Sequence, residues 1–176
     1  MDRSLTNLTP DMSGADPGLS ERVIQGHSAV LSQVDYFREN FGKTSSSWKK
    51  DGTRVTVVDE TISENLFLPL KNSFPSDDFC SEEEAETPDP IPLKAEFCWL
   101  LDPVDGTNNY AAGITECGIS LALLREGMPI YGYIYDYSRD KLLQGGPGFG
   151  AIEGTNPVQA TTELVNEKLT FCMHFP

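Results

Sequence analysis

The chain has 176 residues and a formal net charge of −14, with 39% hydrophobic and 23% charged residues. That length suffices for one domain with a sizeable core, and that charge excludes nucleic acid and anionic membrane as direct electrostatic partners. A small phosphorylated metabolite stays open as a partner, because a divalent cation can stand between two anions.

Residues 1–16 are polar, carry Pro10 and Gly14, and contain no apolar core of a secretory leader. They read as a disordered tail ahead of a single domain over 17–176, with a cytoplasmic location expected. A helix is predicted over 17–41, with Asp16 as N-cap and Pro17 at its first position. Val23, Val30 and Phe37 recur at sevens, Ile24, Leu31, Val34 and Phe41 widen the stripe, and Gly42 stops it. His27 lies on or beside the stripe without a second ligand at metal-binding spacing, so it reads as a partly buried neutral histidine.

A polar loop over 43–52 leads into a β-prone run over 54–58. A second helix is predicted over 59–73 with Asp59 as N-cap, and Pro69 is expected to kink it or end it early. Strands follow over 78–81, 96–101, 117–124, 129–137 and 141–144, with an acidic, proline-rich loop over 82–94 and a glycine-rich run over 145–150. In the strand 129–137, Tyr131, Tyr133, Tyr135 and Tyr137 alternate with Ile130, Gly132 and Ile134. Two helices followed by consecutive strands predict an α+β fold, the helices packed on an antiparallel sheet. The four cysteines show no C-x-x-C spacing, so no zinc or redox motif is indicated. No apolar run approaches a membrane span, and the oligomeric state is open, a homo-oligomer included.

Chemistry concentrates in Asp102-Pro103-Val104-Asp105-Gly106-Thr107, at the end of the apolar run Trp99-Leu100-Leu101. Two carboxylates held at ~4 Å with an effective dielectric of ~20 repel by about 4 kcal/mol. Protonation, a basic partner or a cation removes that cost, and no Lys or Arg lies in this segment. Carboxylate oxygens are hard donors suited to Mg²⁺ or Mn²⁺. Local chemistry alone leaves a surface turn and a divalent-cation site both open. The acidic run Glu82-Glu83-Glu84 reads by itself as a solvated loop. If the strands ending at Ser81 and Leu101 are neighbours, their C-terminal ends bring Glu82 beside Asp102.

The hexapeptide D-P-V-D-G-T resembles the signature of the inositol monophosphatase family. Val55 to Asp59 resembles that family's V-T-x-x-D, and Phe79 to Glu83 its F-I-G-E-E, with Ser81 in place of the glycine. Gly118 to Ala122, Pro129 to Asp136 and Gly148 to Ala151 are similar to the family's later strands. The resemblance runs from about Val23 to Met173 and implies the N-terminal half of an αβαβα sandwich. It implies a Mg²⁺-dependent phosphomonoesterase acting on a small sugar, inositol or nucleotide monophosphate.

By position, Glu82, Asp102 and the Val104 carbonyl would hold one magnesium, and Asp102 would bridge to a second shared with Asp105. Glu82 and Thr107 would orient and deprotonate the attacking water, with Asp59 backing the Thr107 hydroxyl. The backbone N–H groups of Gly106 and Thr107 would face the phosphate. Lys49 or Lys50 falls near the family's mobile-loop lysine. The family's W-D motif, which brings a third aspartate ligand, has no counterpart, because neither Trp48 nor Trp99 is followed by Asp. The expectation is therefore a chain without the C-terminal half, weakly active or inactive alone. The alternative is a catalytically silent metal-binding or association domain derived from the family.

Overall fold

Helix α1 (Pro17–Asn40) begins where Asp16, in extended backbone, accepts the Leu19 N–H at 3.0 Å. The computed structural model describes residues 12–44, 46–48, 54–84 and 93–159. The lysines at 49 and 50 and the strand-like run at 168–173 lie outside the described residues. Met12 is buried, and its carbonyl accepts the Ala15 N–H at 3.0 Å. The predicted apolar stripe of α1 is buried through Val23, Val30, Val34 and Phe37, and Gly42 follows the helix at φ +66°.

The short strands β1 (Ser46–Trp48) and β2 (Arg54–Thr56) pair antiparallel. Helix α2 (Val57–Ser73) starts two residues earlier than the sequence suggests. Its N-cap is Thr56, and Asp59 is the fourth member of a capping box rather than the cap itself. A carboxylate can serve either position, and here the Thr56 backbone N–H and hydroxyl both point into Asp59. Pro69 does not end the helix. It sits on the exposed side, where water can take the carbonyl it leaves unpaired, while Leu66, Phe67 and Leu70 hold the last turns to the core.

Seven strands form one sheet in the order β3-β4-β5-β6-β7-β8-β9: β3 (Asp78–Ser81), β4 (Phe97–Asp105), β5 (Gly118–Arg125), β6 (Met128–Asp136), β7 (Lys141–Gly146), β8 (Gly150–Glu153) and β9 (Asn156–Val158). All neighbours are antiparallel except β3 and β4, which run parallel with Ser81 opposite Leu101. A one-turn 3-10 helix (Glu82–Glu84) follows β3, and the short α3 (Thr107–Ala112) follows β4. The fold is α+β, with α1 and α2 laid on one face of a mostly antiparallel sheet.

Trp99, Leu101, Ile119, Leu121, Tyr133 and Tyr135 form the floor of the core beneath the helices. Tyr133 donates to the Val23 carbonyl at 2.7 Å, and Tyr110 of α3 donates to the Phe37 carbonyl at 2.7 Å. His27 Nδ1 lies 3.1 Å from Gln144 Oε1, and burial lowers its pKa, as a neutral core histidine requires. Cys80 and Cys98 are buried free thiols, and burial pushes Cys98 up to about 12, so it stays a packing group.

Gly26 marks the closest approach of α1 to the sheet. A Cβ there would stand 2.8 Å from Trp99 Cζ3 and 2.8 Å from the Tyr133 hydroxyl. Gly26→Ala gains about 1 kcal/mol of helix propensity and loses about 1–3 kcal/mol to overpacking. Tyr133 is tethered to Val23 and cannot swing away, so the loss prevails. The melting temperature should drop by a few degrees in thermal denaturation; a rise would show slack between α1 and the sheet.

Candidate metal centre

Strand β4 runs past Leu101, where the sequence pattern stops, through Asp102 and Pro103 to Asp105. Asp102 pairs with Ser120 and Asp105 with Gly118, so β4 takes three steps where β5 takes two. In a regular strand, residues three apart point to opposite faces. The extra residue is a bulge, and it returns Asp105 to the face that carries Asp102. Pro103 is tolerated because the bulge interrupts the ladder.

The parallel pairing of β3 and β4 ends at Ser81 and Leu101, and the next residue on each strand is an acid, Glu82 and Asp102. The Asp102 carboxyl is within hydrogen-bonding reach of Glu82 and feels the charge of Asp105. Burial first, then Glu82 and Asp105, push it up to about 8, against a small opposing contribution from the Val104 backbone. Among the described residues, no basic side chain is among the groups that act on it. Glu82 and Asp105 are exposed, so the cluster opens to solvent. Among the described residues, no three His, Cys, Asp or Glu side chains are gathered closely enough to hold an ion by themselves. What exists is a close pair, Glu82 and Asp102, with Asp105 beside it. A carboxyl raised above its ordinary range beside a second carboxylate, both of them hard oxygen donors, fits a divalent metal that would displace its proton.

Gly106 caps α3 in the left-handed region at φ +80°, where a Cβ would stand 2.8 Å from the Glu116 carbonyl. The next residue, Thr107, has its hydroxyl 3.0 Å from the Val104 carbonyl and 3.4 Å from Asp59 Oδ1. The hydroxyl has one proton, and the shorter contact takes it. Asp59 is fully buried, and its other oxygen accepts from Thr56 N at 2.8 Å and Thr56 Oγ1 at 2.5 Å. The capping box of α2 thus holds Asp59 with one oxygen facing Thr107.

The sequence profile of the inositol monophosphatase family matches residues 23–172. The chain belongs to this family. Inositol monophosphatase 1 of Solanum lycopersicum is 34% identical over 117 residues, covering 65% of this chain and 43% of that protein. A crystal structure of staphylococcal inositol monophosphatase-1, soaked in LiCl as an inhibitory complex, superposes with a TM-score of 0.73 at 25% identity, over 85% of this chain and 56% of that one. An IMPase/NADP phosphatase complexed with Mg²⁺ and phosphate superposes with a TM-score of 0.68 at 25% identity, over 82% and 55% of the two chains. The chain spans about half the length of the curated relatives it matches.

The family residues named from the sequence therefore fall around one end of the β3–β4 pair. Glu82 meets Asp102, Asp105 shares its face, and Thr107 reaches Val104 and, at longer range, Asp59. Sequence reasoning missed the bulge, whose only sign was a proline between two aspartates. It also missed Ser63 of α2, whose hydroxyl meets that of Ser81 at 3.0 Å.

Proposed function

We propose that this chain carries the metal-binding half of a Mg²⁺-dependent phosphomonoesterase acting on a small sugar, inositol or nucleotide monophosphate. The observation that carries the reading is the half-buried Asp102 carboxyl against Glu82, with Asp105 turned to the same face by the β4 bulge. Glu82, Asp102 and the Val104 carbonyl would hold one ion, with Mn²⁺ able to serve in place of Mg²⁺, and Asp102 and Asp105 would hold a second. Magnesium there supplies an activated water and neutralises charge developing on the phosphate. Thr107 would accept a hydrogen bond from the attacking water, its own proton turning from Val104 toward Asp59 Oδ1. Glu82 would take the water's proton. The Gly106 and Thr107 N–H groups at the start of α3 receive phosphate oxygens.

The exposure of Glu82 and Asp105 supports weak activity for the chain alone. Water raises the local dielectric and weakens preorganised charge stabilisation. With Mg²⁺ and inositol 1-phosphate, phosphate release should stay at or near background. Adding the C-terminal half of a full-length relative in trans should raise it, and Thr107→Ala should remove the gain. Robust turnover by the chain alone, abolished by Thr107→Ala, would overturn the reading of an incomplete site. The second reading, a silent association domain, is favoured by Leu100 and Ile134, apolar side chains 46% and 50% exposed on the sheet. It predicts metal binding with no turnover in either arm.

A further inference from the structure

Helix α2 touches the candidate site at two points one turn apart. Asp59 and Ser63 are separated by four residues, so they share a helix face, and both are buried. Asp59 faces Thr107 on the β4–α3 side. Ser63 faces the other side, where its hydroxyl lies 3.0 Å from that of Ser81. Ser81 is the last residue of β3, only 1% exposed, and its hydroxyl accepts the Glu83 N–H at a long 3.4 Å. The turn bearing Glu82 therefore begins on a buried hydroxyl that is itself tied to α2.

We infer that Ser63 is a positioning residue: through Ser81 it sets the Glu82 turn in register with Asp102, while Asp59 on the same face sets Thr107. The inference rests on the metal reading proposed above. Its physical basis is that β3 is an edge strand of the described sheet, four residues long and paired only with β4. Ser81 is almost fully buried, so removing the Ser63 hydroxyl frees the turn and leaves the Ser81 hydroxyl without that partner. An exposed glutamate swinging on a loosened turn spends less time beside Asp102.

Four variants test this: Ser63→Ala, Ser63→Thr, Ser81→Ala and the double Ser63→Ala/Ser81→Ala. Ser63 also lines a cavity of about 410 Å³ with Glu60, Glu64 and Phe67, so the extra methyl of threonine has room. Mn²⁺ titration calorimetry should show about tenfold weaker binding for Ser63→Ala, the low end of the 10–100-fold effect of outer partners of metal ligands. Ser63→Thr, which keeps the hydroxyl, should bind as the unaltered chain does. The double variant should regain thermal stability over the singles, because no hydroxyl is left orphaned, yet keep the weak Mn²⁺ binding. Affinity that instead tracks stability across the four would overturn the positioning role. A metal-free readout separates this inference from the reading beneath it. Amide hydrogen exchange at Glu82 and Glu83 should quicken about tenfold in Ser63→Ala, with the α2 amides unchanged. Unchanged exchange at both would overturn the clamp even if Mn²⁺ binds. Quickened exchange in a chain that binds no Mn²⁺ would uphold the clamp and sink the metal reading.

Discussion

Asp102→Asn should weaken Mn²⁺ binding by at least about tenfold and, in the same protein, raise the melting temperature of the metal-free chain at pH 8. Both effects come from one carboxyl. Asp102 is crowded by burial, by Glu82 and by Asp105, which together push its pKa up to about 8. An acid whose pKa is raised on folding binds its proton more tightly in the native state than in the unfolded one. Its contribution is therefore fully present below about 4, the unfolded value, and is lost as pH rises through about 8. The metal-free chain should lose stability across that window relative to Asp102→Asn, which stays neutral throughout. At a few kcal/mol of carboxylate repulsion, and about 2–4 °C per kcal/mol for a chain of this size, the gap at pH 8 should reach several degrees. Adding Mn²⁺ at pH 8 should close it from the other side by stabilising only the chain that keeps Asp102. Calorimetric titration and thermal melts on the two proteins test both halves. Equal Mn²⁺ affinity would remove Asp102 from the metal centre, and parallel pH profiles would show that its crowding is relieved without a proton.

Asp77→Ala should be the most damaging single change to the fold, at about 3–5 kcal/mol. Asp77 lies between β3 and the end of α2, and its side chain is 2% exposed. Both its oxygens accept from Arg22 of α1, at 2.6 and 2.8 Å, and Oδ2 also accepts the Trp99 indole N–H at 3.0 Å. The Arg22 guanidinium is sandwiched over Phe74 and Phe97, 4.5 and 4.0 Å from their ring centroids. Removing the carboxylate leaves a largely buried cation and a buried indole N–H without their acceptor, which costs far more than the net worth of the pair. Asp77→Asn keeps the shape and one acceptor oxygen and should cost clearly less. Urea unfolding of the two variants gives the comparison; a loss below about 1 kcal/mol for Asp77→Ala would mean that water reaches Arg22. Because Arg22, Asp77 and Trp99 tie α1 to the strands that bear the site, destabilisation there should also weaken metal binding.

Much of this fold was legible locally. Helix α1 carried its cap, its seven-residue stripe and its glycine stop in contiguous residues, and β6 carried the alternation of its tyrosines. These are signals of local conformation and of one buried face, both written in neighbouring side chains. The family was legible for a related reason, as were the acids proposed for its site, since D-P-V-D-G-T compresses a turn, two ligand-type carboxylates and a hydroxyl into six residues. The N-terminus of α2 was misplaced because both Thr56 and Asp59 are good capping residues. Only their mutual contact shows which one caps and which one closes the box.

What tertiary structure alone decided is how distant pieces meet. The parallel register of β3 on β4 places Glu82 beside Asp102 across a gap of twenty residues, and nothing in either strand specifies that register. The bulge that sets Asp105 on the Asp102 face depends on pairing with β5. Arg22 with Asp77, His27 with Gln144, and Ser63 with Ser81 are contacts between elements whose own sequences give no sign of the partner. The physical reason is common to all of them. A buried polar group must find a complement, but which complement it finds is set by the packing of whole helices and strands rather than by the residues beside it. The sequence by itself determined the family and named the acids proposed for its site. The folded chain determined that Glu82 meets Asp102, with Asp105 on the same face, and which buried groups pack behind them.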